Sequence, residues 1–236
     1  MRKMPLAVAA VTALLGVQTL GSAQAEEVRR YNPSTARWET VDLSRVRSVR
    51  QREPDRQFQR KTVGIETREQ PGTIIVDTQR HFLYHVGNGG KATRYGVGVG
   101  REGFGWSGDM KIGRKAEWPG WTPPPEMVRR ERAKGRNLPA YMAGGPDNPL
   151  GARAMYLYRN GHDSMYRIHG TNQPWTIGQN MSSGCIRMMN EDVEDLYDRA
   201  GKGTKVVVIG PDGSGRDKIY RETRAANGLL EALFGS

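Results

Sequence analysis

"GTIIVD" (72–77) and "RHFLYHV" (80–86) are two short apolar runs separated by a polar step at Thr78 and Gln79. β-branched and aromatic residues dominate both, so they read as two strands across a tight turn. Phe82, Tyr84 and Val86 alternate as one face of a half-buried strand would. Downstream, "KATRYGVGVG" (91–100) continues the meander, and "AMYLY" (154–158) and "MYRIHG" (165–170) are further strands. "TKVVVI" (204–209) reads as a strand buried on both sides. The prolines and tryptophans of "KAEWPGWTPPPEM" (115–127) exclude regular structure until Glu126, where "EMVRRERAKG" (126–135) can form a short helix ended by Gly135. A second helix is expected after Asn190, taken as its N-cap. Glu191 and Asp192 stand in its first turn, and Val193, Leu196 and Tyr197 are at core spacing. Residues 217–236 are expected to end the chain as a helix with Leu229, Leu230, Leu233 and Phe234 on one face.

The 236 residues carry a formal charge of +11, with 30 Gly and 13 Pro, a turn-rich composition that suits a mainly β chain with one modest core. Arg2 and Lys3, the apolar residues 5–15 and the small-x-small triplet Ala23-Gln24-Ala25 read as an export signal over 1–25, too short to span a bilayer. Its removal takes away Arg2 and Lys3 and leaves +9. Outside the cytoplasm a basic protein is expected to meet an anionic envelope polymer rather than nucleic acid. Residues 29–61 hold ten Lys or Arg against four acids without a sustained period, so 26–70 reads as a basic, poorly ordered arm. The folded domain is then expected over 71–210 and a tail over 211–236.

Cys185 is the only cysteine. Exported chains usually hold cysteines in pairs, so a single one is a buried inert residue, an intermolecular bridge or a nucleophile. A nucleophile needs a base, and there are four histidines. His81 and His85 read as ordinary strand residues, and His162 belongs to the hairpin turn "RNGHDS". His169 ends a strand and is followed by Gly170, a place where an imidazole can face a cleft. His162, Asp163, His169 and Cys185 lack the paired short spacing of a zinc site, so no metal or other cofactor is expected. Gly98, Gly100 and Gly103 match a dinucleotide fingerprint, but "FGWSGD" after them cannot open the helix it requires.

The stretch "IHGTNQPWTIGQNMSSGCIRMMNED" (168–192) resembles the signature of the L,D-transpeptidases with a YkuD-type catalytic domain. The likeness extends more loosely over residues 71–210. It implies a mixed β sandwich or barrel with two or three short helices. It also implies a transpeptidase that attacks peptidoglycan stem peptides through a thioester, without a cofactor, and forms 3→3 cross-links or attaches an envelope protein to the wall. Cys185 would be the nucleophile and His169 the base, with Ser182 orienting His169 and the Gly170 carbonyl holding its other ring nitrogen. Backbone N–H groups around Gly184 and Cys185 would receive the oxyanion. Arg187 would clamp a substrate carboxylate or pair with Glu191 or Asp192. Asn190 occupies a trailing motif position counted with the substrate site, and Trp175 would line the cleft or pack in the core. Ser183 stands where the motif often has a second histidine. Two alternatives remain: a hydrolase using the same pair with water as acceptor, and a non-catalytic wall-binding protein.

Overall fold

The computed structural model of the protein describes residues 27–32, 37–42, 54–101 and 105–223. The expected export signal and the apolar tail positions Leu229, Leu230, Leu233 and Phe234 lie outside these. The chain divides into two compact units, Met1–Ser48 and Val49–Ser236. In the first, β1 (Glu27–Asn32) and β2 (Arg37–Asp42) pair antiparallel, with Glu27 opposite Asp42 and Asn32 opposite Arg37.

The second unit contains β3 (Lys61–Thr67), β4 (Ile74–Asp77), β5 (Phe82–Val86), β6 (Lys91–Gly96), β7 (Val99–Gly100) and β8 (Gly108–Glu117). Helix α1 (Pro125–Ala133) leads to β9 (Arg153–Arg159), β10 (His162–His169), β11 (Asn180–Ser182) and β12 (Ile186–Arg187). Then come α2 (Asn190–Arg199), β13 (Lys205–Ile209), α3 (Arg216–Ile219) and β14 (Tyr220–Thr223). Ten strands make one sheet in the order β12-β10-β9-β8-β13-β4-β5-β6-β3-β14. Its pairs are antiparallel except β10 with β12 and β13 with β4. The mainly β class with short helices is the one expected, but β12 and β14 at the two ends of the order do not pair with each other, so the sheet does not close into a barrel.

The apolar runs explain the layering. In β4, Ile74 and Val76 enter one core cluster while Ile75 enters the other; in β13, Val206 and Val208 oppose Ile209 in the same way. A strand covered on both faces has no polar side to alternate with, hence "IIV" and "VVVI". Residues 82–86 behave likewise, because Leu83 and Tyr84 are both fully buried on opposite faces. The strand is thus covered on both faces, not half-buried. Helix α2 covers the first cluster with Val193 and Leu196. Among the described residues no helix is long and apolar enough to cross a membrane.

The sheet takes in strands on both sides of residues 71–210. The last part of the supposed arm is β3, whose Val63 and Ile65 are buried in the second cluster. Flanking charges hid so short an apolar stretch. The tail is not one helix: α3 makes a single turn, and β14 pairs with β3, Tyr220 opposite Thr67. A buried polar network locks it in place. Asp77, fully buried, accepts from Arg216 Nη2 at 3.1 Å, Tyr220 Oη at 2.8 Å and the Arg80 N–H at 3.0 Å. Burial would raise this carboxyl, but those donors outweigh it and hold the group below the usual carboxylate range.

Candidate active site

The site is built at the β12 end of the sheet. In the parallel pair of β10 and β12, Ile168 lies opposite Ile186 and His169 opposite Arg187. Both isoleucines are sunk in the core, at 0% and 1% exposure. Strand side chains alternate, so Arg167, His169 and Arg187 project from the other face, and Cys185, just before β12, is carried there with them. On its far side the 182–187 segment is held by residues 98–100. Gly98 and Arg187 exchange both backbone hydrogen bonds, at 3.0 and 2.8 Å, and Ser182 registers with Gly100. His169, sixteen residues before Cys185 in the chain, is thereby set opposite Arg187, two residues beyond the thiol on the neighbouring segment.

His169 is 4% exposed, and its Nδ1 lies 2.6 Å from the Gly170 carbonyl oxygen. A carbonyl can only accept, so Nδ1 carries the hydrogen and Nε2 keeps its lone pair for another proton. Burial first, then the nearby Arg187 and Arg167 guanidiniums, lower the imidazole pKa to about 3, against the opposing pull of the Gly170 carbonyl. Cys185, partly exposed, is pushed the other way. Burial raises its pKa above the ordinary thiol value, while the Arg167 backbone N–H and the Arg167 and Arg187 side chains pull it only partly back. Burial thus disfavours the charged form of both groups, the thiolate and the imidazolium.

Ser182 does something other than orient the histidine. Its Oγ donates to the Cys185 carbonyl at 2.6 Å and accepts from the Gly184 N–H at 3.1 Å. It ties the turn that presents the thiol. Gly184 sits at φ +105°, which only glycine adopts without strain, and its carbonyl accepts from Trp106 Nε1 at 2.9 Å. With its N–H already committed to Ser182, Gly184 is not the free donor that sequence reasoning made it.

Asn190 is also reassigned. It is the first residue of α2 rather than its cap, which is Met189. Its Oδ1 accepts from the buried backbone N–H groups of Ala152 at 3.0 Å and Thr171 at 3.1 Å. Gly170 is required here, because a Cβ would stand 2.2 Å from that oxygen. Asn190 thereby pins the chain immediately after His169. Asn190→Ala would leave two buried donors unsatisfied and should cost about 2–3 kcal/mol in urea denaturation. Asn190→Asp, which keeps an acceptor, should recover most of it.

Arg187 is the unusual cation. Its guanidinium touches only neutral groups, Gln173 Oε1 and Thr176 Oγ1, both at 3.4 Å, and its Nε is buried with no hydrogen-bond partner. Among the described residues it makes no ion pair. The expected alternative partner Asp192 instead faces Arg60, at 3.6 Å. Trp175 lies half-buried in the turn Pro174–Thr176, with its carbonyl accepting from Gln179.

Three contributors escaped sequence reasoning. Arg167 is gripped by Asp163 at 2.8 and 3.2 Å across a bulge in β10, and its N–H faces the sulfur. Trp106 stacks on Tyr166 with ring centroids 4.5 Å apart while it holds Gly184. Arg130, on α1, donates to Ser183 Oγ at 3.4 Å. None belongs to a short motif, and each reaches the thiol loop from a distant segment. Of the other histidines, His81 lies in the turn before β5 and His162 opens β10 instead of lying in a turn. His81 donates from Nε2 to Asn180 Oδ1 at 2.8 Å, and burial depresses His85. Among the described residues no cluster of three or more His, Cys, Asp or Glu could hold a metal.

Residues 71–208 match the family model YkuD, described as the L,D-transpeptidase catalytic domain. Probable L,D-transpeptidase YbiS of Escherichia coli K12 is 35% identical over 175 residues, 69% of this chain and 54% of that protein. Probable L,D-transpeptidase ErfK/SrfK of the same strain is 34% identical over 155 residues, 61% of this chain and 48% of that protein. The chain thus spans about half the length of these curated relatives. A crystal structure from Brucella melitensis described as a probable carnitine operon oxidoreductase is 50% identical, covering 65% of this chain and 95% of that one at a TM-score of 0.44.

Proposed function

We propose, because this chain belongs to the YkuD family of L,D-transpeptidase catalytic domains, that it is a cysteine-dependent L,D-transpeptidase acting on peptidoglycan stem peptides. The observation that carries the reading is the register of β10 and β12, which sets His169 opposite Arg187 and one residue beyond Ile168, with Cys185 on the adjoining turn. A sulfur, an imidazole of fixed tautomer and a carboxylate-binding cation then share the β12 end of the sheet.

The donor is the L,D amide between the diamino acid at position three of the stem and D-Ala at position four. Nε2 of His169 takes the thiol proton as the sulfur attacks the carbonyl carbon, so proton transfer accompanies attack. The Cys185 N–H, rather than that of Gly184, receives the oxyanion. The C–N bond breaks, His169 returns the proton to the departing D-Ala amine, and a thioester remains. Arg187 holds the D-Ala carboxylate during this step by the charge-assisted bonds its guanidinium otherwise lacks. An incoming amine gives its proton to His169, attacks the thioester and expels the thiolate, which is reprotonated. Where the amine belongs to a neighbouring stem the product is a 3→3 cross-link, and where it belongs to an envelope protein the product is a wall anchor. The export signal and the basic residues of 29–61 suit a periplasmic or wall-facing protein.

Incubation with two stem tetrapeptides, followed by mass analysis of the products, tests the reaction. A dimer formed with loss of one D-Ala is expected. Free tripeptide as the dominant product would reassign the enzyme as a hydrolase.

A further inference from the structure

We propose that Arg130 and Ser183 form a subsite for a carboxylate carried on the side chain of the donor's position-three diamino acid. The proposal rests on the transpeptidase reading and assigns the acyl half of its substrate.

Arg130 projects from α1 onto the thiol loop, where Nη2 donates to Ser183 Oγ, two residues before the nucleophile. Its Nε is buried and has no hydrogen-bond partner. The nearest carboxylate, Glu131, lies 3.6 Å from that Nε, but it is bound by Arg136 Nε at 2.7 Å and shared with Lys134 at 3.6 Å. One carboxylate among three cations leaves Arg130 under-compensated, with only 23% of its side chain exposed to water. A guanidinium so placed favours an incoming carboxylate, which it can grip in two-point fashion.

The side on which it stands identifies that carboxylate. His169 must deliver a proton to the leaving amine, and Arg187 pairs with His169 across the strands. The departing D-Ala and its carboxylate therefore occupy the Arg187 side of the sulfur. Arg130 reaches the thiol loop from α1 through Ser183, whereas Arg187 comes from β12, so with Arg187 given to the D-Ala carboxylate the second cation is assigned to the acyl half of the donor. That half bears the diamino-acid side chain. Ser183 also gains a reason. It supplies the hydroxyl that Arg130 meets.

The test uses two tetrapeptide donors that differ only in a free carboxylate or its primary amide on the position-three side chain. The wild-type enzyme should favour the acid by roughly 10- to 100-fold in kcat/KM, the range of a charge-assisted hydrogen bond. Arg130→Gln should bring the acid-to-amide ratio to within about threefold of unity, and Arg130→Lys, a point charge without the fork, should fall between. Ser183→Ala should lower the ratio by a few-fold, and it decides the matter if Arg130→Gln fails to fold in a thermal melt. A wild-type ratio near one, or a ratio untouched by these variants in an active enzyme, overturns this proposal alone. A wild-type enzyme inert toward both donors overturns the transpeptidase reading with it.

Discussion

Cys185→Ser should lower kcat/KM on a stem tetrapeptide by roughly 10³-fold or more while leaving the fold intact. The hydroxyl is a far weaker nucleophile than the thiol when one imidazole is its only activator. Here that imidazole is a poor base as well, its affinity for protons depressed by burial and by Arg187 and Arg167. It can relieve a thiol of its proton during attack, but an alcohol presents a much steeper transfer. Structurally the exchange is mild. The Ser182 hydrogen bond runs to the main-chain carbonyl of residue 185, which the variant keeps. Steady-state kinetics beside a thermal melt would check both halves. A serine variant within tenfold of wild type would remove the thiol from the mechanism.

His169→Ala should lose about 10²- to 10⁴-fold, the usual worth of a positioned general base, and combining it with Cys185→Ser should add little, because the two act as one unit. The pH profile sharpens the point. A histidine works as a base only when unprotonated, and its pKa here is lowered to about 3. The acid limb of kcat/KM should therefore fall well below pH 6.5 instead of near it, so the enzyme stays active in mild acid. The thiol, with its pKa raised, should show iodoacetamide reactivity that keeps climbing above neutrality rather than reaching a plateau in acid. An acid limb centred near pH 6.5, with a plateau in alkylation, would mean a preformed thiolate–imidazolium pair.

How far the sequence foretold this depends on how local each feature is. β4, β5, β9, β10 and β13 announced themselves through continuous or alternating apolar runs, and Cys185 and His169 through one contiguous motif. β3 and β14 did not, because four to seven residues with charges on either side carry too little pattern. β8 was missed for a related reason. Its ten residues "GDMKIGRKAE" bury only Met110 and Ile112, and its order comes from β9 and β13 on either side. Roles assigned by side-chain type failed where the partner was distant in sequence. Asn190 looked like a helix cap and is instead a staple for the chain at 152 and 171. Ser182 looked like an orienter of His169 and serves its own turn. Arg130 could not be connected to Ser183 across 53 positions without the fold.

The thioester is the claim on which the account turns, and intact mass spectrometry tests it directly. A β-lactam of the carbapenem class presents a strained amide that the thiol should open and retain, as the family resemblance implies. Wild-type protein should gain one drug mass, and peptide mapping should place it on Cys185. Cys185→Ser should gain none, and His169→Ala should be labelled far more slowly. A drug mass on the serine variant, or on any other residue of the wild type, would contradict the assignment of Cys185 as the nucleophile.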